Sequence, residues 1–181
     1  MKNTQSNYGW LTIILHWLAA VLILGLFSLG YWMVELGYYD PWYKQGPELH
    51  KSFGFILFAL MVVRLWWKLK QTQPLPLNSH TKFERTASAI THKALYFLVF
   101  LIIFSGYLIS TADGRAIEVF QLFNIASMGE LFTNQEDTAG LIHQYGAYTL
   151  IALVIVHALA AIKHHVIDKD STLIRMLGKH K

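Results

Sequence analysis

Histidines are the residues of this chain whose type and position indicate chemistry. Imidazole can bind a metal ion or carry a proton near neutral pH. It is costly in an apolar environment, so a histidine inside a predicted apolar span indicates a functional role with a partner group. Of the nine histidines, five lie inside such stretches: His16, His50, His92, His143 and His157. His164 and His165 end the last stretch, whereas solvation in polar segments explains His80 and His180.

The spacing of four of these histidines predicts two pairs between helices. His143 and His157 are 14 residues apart, which at about 100° per residue places them on one helix face, about 21 Å apart. His16 lies five residues from Leu11 at the inner end of the first apolar stretch, and His157 lies five residues from Ile162 at the inner end of the fourth. His50 and His143 lie three and four residues from the opposite side. We therefore expect His16 to lie at the depth of His157, and His50 at the depth of His143.

Two pairs of histidines are the ligands that two b-type haems require. Each iron takes one imidazole on either face, and the macrocycle fills the apolar space between helices. Zinc or copper would need three or four ligands converging at one depth. As an alternative to haem ligation, any single histidine could be hydrogen-bonded to a neighbouring helix. That alternative does not explain why four histidines lie at matched depths.

Four apolar stretches must position these histidines. The chain has 181 residues, of which 54% are hydrophobic and 14% charged, against about 25% charged in soluble domains. A membrane-spanning helix needs about 20 apolar residues, and continuous apolar runs exclude a barrel. The predicted fold is all-α, an integral membrane four-helix bundle that forms a single domain over residues 1–181. The expected spans are residues 10–34, 47–68, 87–111 and 139–162.

The first stretch is too long for a signal-peptide core, so we expect it to be retained as a span. The loop between the third and fourth spans is partly apolar but too short to cross a membrane. It is expected either as an interfacial helix or as a loop packed over the bundle.

The distribution of charges predicts the orientation. With a cytoplasmic N-terminus, the inner side carries 12 basic and three acidic residues, and the outer side three basic and eight acidic residues. The positive-inside rule then places both termini in the cytoplasm. This membrane bias explains the net charge of +4 without a nucleic-acid partner. The absence of cysteine excludes iron–sulfur clusters and covalently attached haem.

Short motifs around the histidines are together similar to the bacterial cytochrome b561 family, which is related to the cytochrome b subunits of nickel–iron hydrogenases and formate dehydrogenases. The similarity extends over residues 8–178. It implies four transmembrane helices and two b haems, one ligated by His16 and His157 and the other by His50 and His143. The motifs are ILHWL (14–18), ELHKSFG (48–54), MVVRL (61–65), SGY (105–107), His143, His157, KHH (163–165) and DKDSTLIRML (168–177).

The resemblance implies a multi-pass oxidoreductase of the bacterial inner membrane that carries electrons between membrane quinones and a donor or acceptor on the periplasmic side. One branch of the family oxidises superoxide at the outer face and reduces ubiquinone near the inner haem. The acidic outer side disfavours an anion there, although Lys44, Lys51 and Arg115 could form a local positive funnel. Two alternatives remain: a haem-containing anchor subunit for a periplasmic redox protein, and a haem-free proton pathway along the histidines.

We expect a quinone site near the inner pair. His92, together with Lys163, His164 or His165, would hydrogen-bond a quinone carbonyl or deliver its proton. Two alternatives are open. Lys163, His164 and His165 would form a solvated positive collar at the lipid headgroups, or His92 would replace one of the ligands of the inner pair. Arg64 is expected to pair with a haem propionate or to extend towards the headgroups.

Overall fold

The computed structural model describes residues 2–77 and 79–178. In this part of the chain, four helices are long and apolar enough to cross a membrane, which confirms the predicted fold class. The elements in chain order are α1 (Trp10–Met33), α2 (Gln45–Lys70), α3 (Lys82–Thr111), the strands β1 (Ile117–Val119) and β2 (Phe123–Ile125), α4 (Gln135–Val166) and the short α5 (Thr172–Met176).

The helices α3 and α4 each begin a few residues before the apolar stretch that predicted them, because polar residues form their first turns. At α3, the Glu84 amide donates to Thr81 Oγ1 (3.2 Å) and the Thr81 amide donates to Glu84 Oε2 (2.9 Å). This is a capping box, which satisfies amides that lack helical partners. At α4, Gln135 is buried and its Nε2 donates to the Leu108 carbonyl (2.9 Å). Both helices therefore extend beyond the uncharged residues.

Large apolar side chains lie mostly on the outside of the long helices. Only ten hydrophobic residues are buried among those that the structure describes. By contrast, Val21 is 66% exposed and Ile155 is 53% exposed, both in the middle of helices. A fold in water would bury such residues, whereas lipid tails cover them in a membrane. The exposed apolar surface is that of a membrane protein.

Contacts between residues divide the chain into two compact units, and each unit contains one segment of every long helix. The terminal unit, which holds His16, His92 and His157, comprises Met1–Ala20, Leu60–Tyr96 and Ala152–Lys181. The hairpin unit, which holds His50 and His143, comprises Val21–Ala59 and Phe97–Ile151.

The loop between α3 and α4 forms a β-hairpin, so the expectation of an interfacial helix there is wrong. Strands β1 and β2 pair antiparallel, with Val119 opposite Phe123. Ile117 and Val119 are buried while the residue between them is exposed, which is the alternation of a strand. The Phe120 amide donates to Ser52 Oγ of α2 (3.0 Å). The hairpin thus packs against α2, which agrees with the alternative of a packed loop.

In the terminal unit, the segment after α4 packs onto residues near the other helix ends. Trp17 Nε1 donates to the Met176 carbonyl (2.8 Å), and Arg175 Nη1 donates to the Leu75 carbonyl (3.0 Å). Leu75 lies in the connection between α2 and α3. The C-terminal segment is therefore joined to both α1 and this connection.

Candidate functional site

His50 of α2 and His143 of α4 face each other in the hairpin unit. Their ring centroids are 6.0 Å apart, with the ring planes inclined by 68°. Two imidazoles that share one metal ion through bonds of about 2 Å have centroids about 6 Å apart, since each ring centre lies ~1 Å beyond its nitrogen. The pair has the spacing of two axial ligands.

The hydrogen bonds of His143 suit metal ligation. Its Nδ1 lies 2.9 Å from the Ile102 carbonyl oxygen and 3.3 Å from Ser105 Oγ. Because a carbonyl oxygen only accepts, Nδ1 donates and carries the proton, which leaves a lone pair on Nε2. His50 Nδ1 is buried and has no hydrogen-bond partner among the described residues. Such a ring nitrogen is expected where a bound group completes the site.

Glycines lie against both of these rings. A Cβ added at Gly30 would lie 3.0 Å from His50 Cε1, and one added at Gly106 would lie 3.0 Å from His143 Cε1. Side-chain carbons do not normally approach so closely. Gly30 and Gly106 therefore provide the space that the two imidazoles occupy, and the residues of this pair fit a haem.

His157 of α4 has two histidine neighbours in the terminal unit. The ring of His16 lies 6.4 Å from that of His157, and the ring of His92 lies 5.3 Å from it, measured between centroids. The larger distance agrees with the spacing of two axial ligands derived above, and the smaller one is short of it. The geometry favours His16 as the partner of His157, with His92 beside the pair.

Arg64 of α2 contacts the ring of His16. Its Nη2 lies 2.9 Å from His16 Nδ1, and its guanidinium lies 5.4 Å from the centroid of the Tyr96 ring. A guanidinium only donates, so Nδ1 accepts here and the neutral ring carries its proton on Nε2. Ligation of a metal through Nε2 needs the opposite tautomer, so Arg64 has to leave Nδ1 when a metal binds. The guanidinium would then need an anion nearby.

The four residues expected at a quinone site lie in different surroundings. His92 contacts the His157 ring, and its Nδ1 lies 3.4 Å from Ser88 Oγ. His165 is exposed at the end of α4. The remaining two, Lys163 and His164, lie among acidic side chains.

Lys163 Nζ lies 2.8 Å from Glu84 Oε1 and 2.7 Å from Asp168 Oδ2. The Nδ1 atom of His164 lies 2.8 Å from the same oxygen of Asp168. The expected positive collar is therefore neutralised by carboxylates at Lys163, and these ion pairs were not predicted from the sequence.

His80 and Asp170 complete this polar region, and neither was predicted from the sequence as a site residue. His80 Nε2 lies 3.1 Å from Asp170 Oδ2 and 3.1 Å from Thr172 Oγ1, so solvation does not explain His80. Burial raises the pKa of Asp170, but hydrogen bonds from Thr172 and His80 outweigh it and leave that pKa below its usual value. The available signal was weak, because a histidine in one polar segment and an aspartate in another show no spacing pattern.

Comparisons with known proteins identify the family of this chain. The family described as prokaryotic cytochrome b561 matches residues 7–179. Cytochrome b561 homolog 2 of Escherichia coli (strain K12) is 46% identical over 177 residues, which are 98% of this chain and 94% of that protein.

Two more distant relatives also match along nearly their whole length. The probable superoxide oxidase CybB of Yersinia pestis is 28% identical over 182 residues, covering 98% of this chain and 99% of that protein. Cytochrome b561 homolog 1 of Escherichia coli (strain K12) is 27% identical over 186 residues, covering 98% and 100%. With four helices able to span a membrane and a family match over nearly every residue, this chain belongs to the prokaryotic cytochrome b561 family of multi-pass membrane haem proteins.

Proposed function

We propose that this protein is a dihaem b-type cytochrome of the bacterial inner membrane, with both termini in the cytoplasm. It transfers electrons between a donor or acceptor on the periplasmic side and the membrane quinone pool. The observation that supports this most is the presence of two histidine pairs with centroid distances of 6.0 and 6.4 Å. A bound haem supplies one-electron transfer, since its iron alternates between the ferric and ferrous states.

The chain's own residues hold and orient these groups. His50 and His143 would ligate one haem, with the Ile102 carbonyl fixing the tautomer of His143. His16 and His157 would ligate the other. Arg64, displaced from His16, would pair with a haem propionate, because a buried guanidinium needs an anionic partner.

His92 is the proposed proton donor to a quinone. It contacts the ring of His157, and imidazole titrates in the range needed for proton transfer. Lys163, His164 and His165 remain candidates for hydrogen bonds to a quinone carbonyl. The carboxylates around Lys163 and His164 make His92 the stronger candidate.

Haem quantification on single variants tests the ligand assignment. The purified protein should contain two b haems per chain, and the His50→Ala, His143→Ala, His16→Ala and His157→Ala variants should each contain one. His92→Ala is the matched control and should keep both. A wild-type spectrum without a b-haem band, or a His92→Ala variant that loses a haem while His16→Ala keeps both, would contradict the assignment.

Superoxide oxidation coupled to ubiquinone reduction is a second candidate activity, which the name of the Yersinia pestis relative favours. Two superoxide ions would each give up one electron and become oxygen, and one quinone would take both electrons with two protons. Against it, Glu48 and Glu118 line a cavity of about 330 Å³ beside Ser52 in the hairpin unit, and carboxylates repel an anion.

Separate additions of superoxide and of a quinol to the oxidised protein distinguish these activities. Reduction of the haems by quinol but not by superoxide would support electron exchange with a different periplasmic partner. Co-purification of such a partner from native membranes would also test whether the protein anchors it. Reduction by superoxide would support the second activity. The family's b-type haem removes the reason for a haem-free proton pathway.

A further inference from the structure

The terminal unit contains a group of potential metal ligands that neither histidine pair uses. His80 lies in the connection between α2 and α3, His164 near the end of α4, and Asp170 in the segment before α5. One ligand atom of each residue lies within 4.8 Å of those of the other two. These residues come from two distant parts of the sequence, because His164 and Asp170 are only six positions apart. All three side chains are at least partly buried: they are 17%, 13% and 7% exposed, respectively.

The distances within this group agree with a metal site. Asp170 Oδ2 lies 3.1 Å from His80 Nε2 and 3.2 Å from His164 Nδ1. Zinc bonds of about 2.1 Å in a tetrahedral arrangement place neighbouring ligand atoms about 3.4 Å apart. Both distances to Asp170 Oδ2 are therefore within a few tenths of an ångström of this value, and all three ligand atoms lie within 4.8 Å of one another.

The Nδ1 atom of His164 is not satisfied by hydrogen bonding. It is buried and lies near two carboxylate oxygens, those of Asp168 at 2.8 Å and Asp170 at 3.2 Å. Neither contact has the direction of a hydrogen bond, so this nitrogen has no hydrogen-bond partner among the described residues. This buried nitrogen is close to two carboxylate oxygens but hydrogen-bonded to neither. A cation bound between the nitrogen and an oxygen would give the nitrogen a partner.

The surrounding charge also favours a divalent cation. Three carboxylates belong to this region, those of Glu84, Asp168 and Asp170, and Lys163 bridges the first two. With neutral imidazoles, the formal charge is −2. Two imidazoles and a carboxylate are ligands that zinc accepts, with a water or Asp168 able to take the fourth position.

We propose that His80, His164 and Asp170 form a binding site for a divalent transition metal of the zinc class. The site is distinct from both histidine pairs and does not depend on the haem assignment. A bound ion would join the α2–α3 connection to the end of α4 and to the segment before α5. The ion would thereby stabilise the fold of the terminal unit, since a ligand that binds only the folded state raises its stability.

Zinc binding to the haem-loaded protein tests this proposal. The protein is first treated with a chelator, then dialysed against Zn²⁺, and its zinc and protein contents are measured. We expect one zinc ion per chain and a higher midpoint of thermal unfolding with zinc than with chelator. His80→Ala and Asp170→Asn should each abolish both effects. Circular dichroism in the absence of zinc verifies that these variants are folded.

Two control variants separate this site from other histidines. His165→Ala removes the exposed neighbour of His164, and His180→Ala removes a histidine that lies outside the described residues. Both variants should bind zinc as the wild type does. Wild-type protein that takes up no zinc would overturn the proposal. So would a His80→Ala or Asp170→Asn variant that retains the ion, or loss of the ion in His180→Ala alone.

Discussion

Gly30 and Gly106 each leave the space that one histidine ring occupies, so an added methyl group should disturb the pair in the hairpin unit. Alanine normally stabilises a helix by about 1 kcal/mol relative to glycine. In Gly30→Ala and Gly106→Ala the new Cβ would instead lie 3.0 Å from an imidazole carbon. We expect haem content to fall from two towards one per chain, measured by absorption spectroscopy.

Gly25→Ala is the matched control for this prediction, because it lies in the same helix as Gly30 and has nothing within 4 Å of the added Cβ. It should keep both haems and unfold at the same or a higher temperature. Equal haem content in the Gly25→Ala and Gly30→Ala variants would show that the close approach to His50 is not needed.

For single residues, the sequence predicts which histidines face each other when both lie in long helices, because helix geometry relates position in the sequence to depth. The matched depths of His16 with His157, and of His50 with His143, correspond to ring contacts in the structure, although ligation by these rings stays a prediction. The contact between His80 and Asp170 spans 90 positions and joins two segments outside the long helices. No periodic rule relates such segments, so only the folded chain shows this contact.

At the scale of elements, the capping box of α3 gives a prediction for stability. Thr81→Ala removes the hydroxyl that accepts from the Glu84 amide and should lower the free energy of unfolding by about 1 kcal/mol. Thr81→Ser should preserve it. The change can be measured by circular dichroism during denaturation of the purified protein.

Thr86→Ala in the same helix serves as the control. Its hydroxyl donates to the Lys82 carbonyl one turn earlier (3.0 Å), a contact that contributes little to helix stability. The variant should match the wild type. If Thr81→Ala and Thr86→Ala have the same stability, the capping box does not hold the start of α3.

The long helices were predictable because a membrane requires continuous apolar sequence, but their polar first turns and the hairpin were not. α3 begins at Lys82 and α4 at Gln135, among residues that a search for apolar runs excludes. The hairpin turn uses Phe120 and Gln121 at φ +48° and +59°. These residue types are not those that normally indicate such a turn, which are glycine, asparagine and aspartate.

The distribution of charge over the whole molecule predicts on which side of the membrane the C-terminus and each loop lie. A fluorescent protein fused to the C-terminus should fluoresce, and alkaline phosphatase fused there should be inactive, because both would remain in the cytoplasm. Alkaline phosphatase inserted after Met128, in the loop between β2 and α4, should be active. An active C-terminal phosphatase fusion would reverse the orientation.

The four long helices differ in length, from 24 residues in α1 to 32 in α4. At 1.5 Å per residue they measure about 36 and 48 Å, against a hydrocarbon thickness of about 30 Å. The extra length of α4 is polar, because its first and last turns carry charged residues and histidines, and its apolar residues 139–162 are as many as the 24 residues of α1. A bilayer thicker or thinner than these apolar stretches therefore acts on both helices alike. Since α4 supplies one histidine to each pair, lipid acyl-chain length becomes a physical variable that acts on the geometry of both pairs.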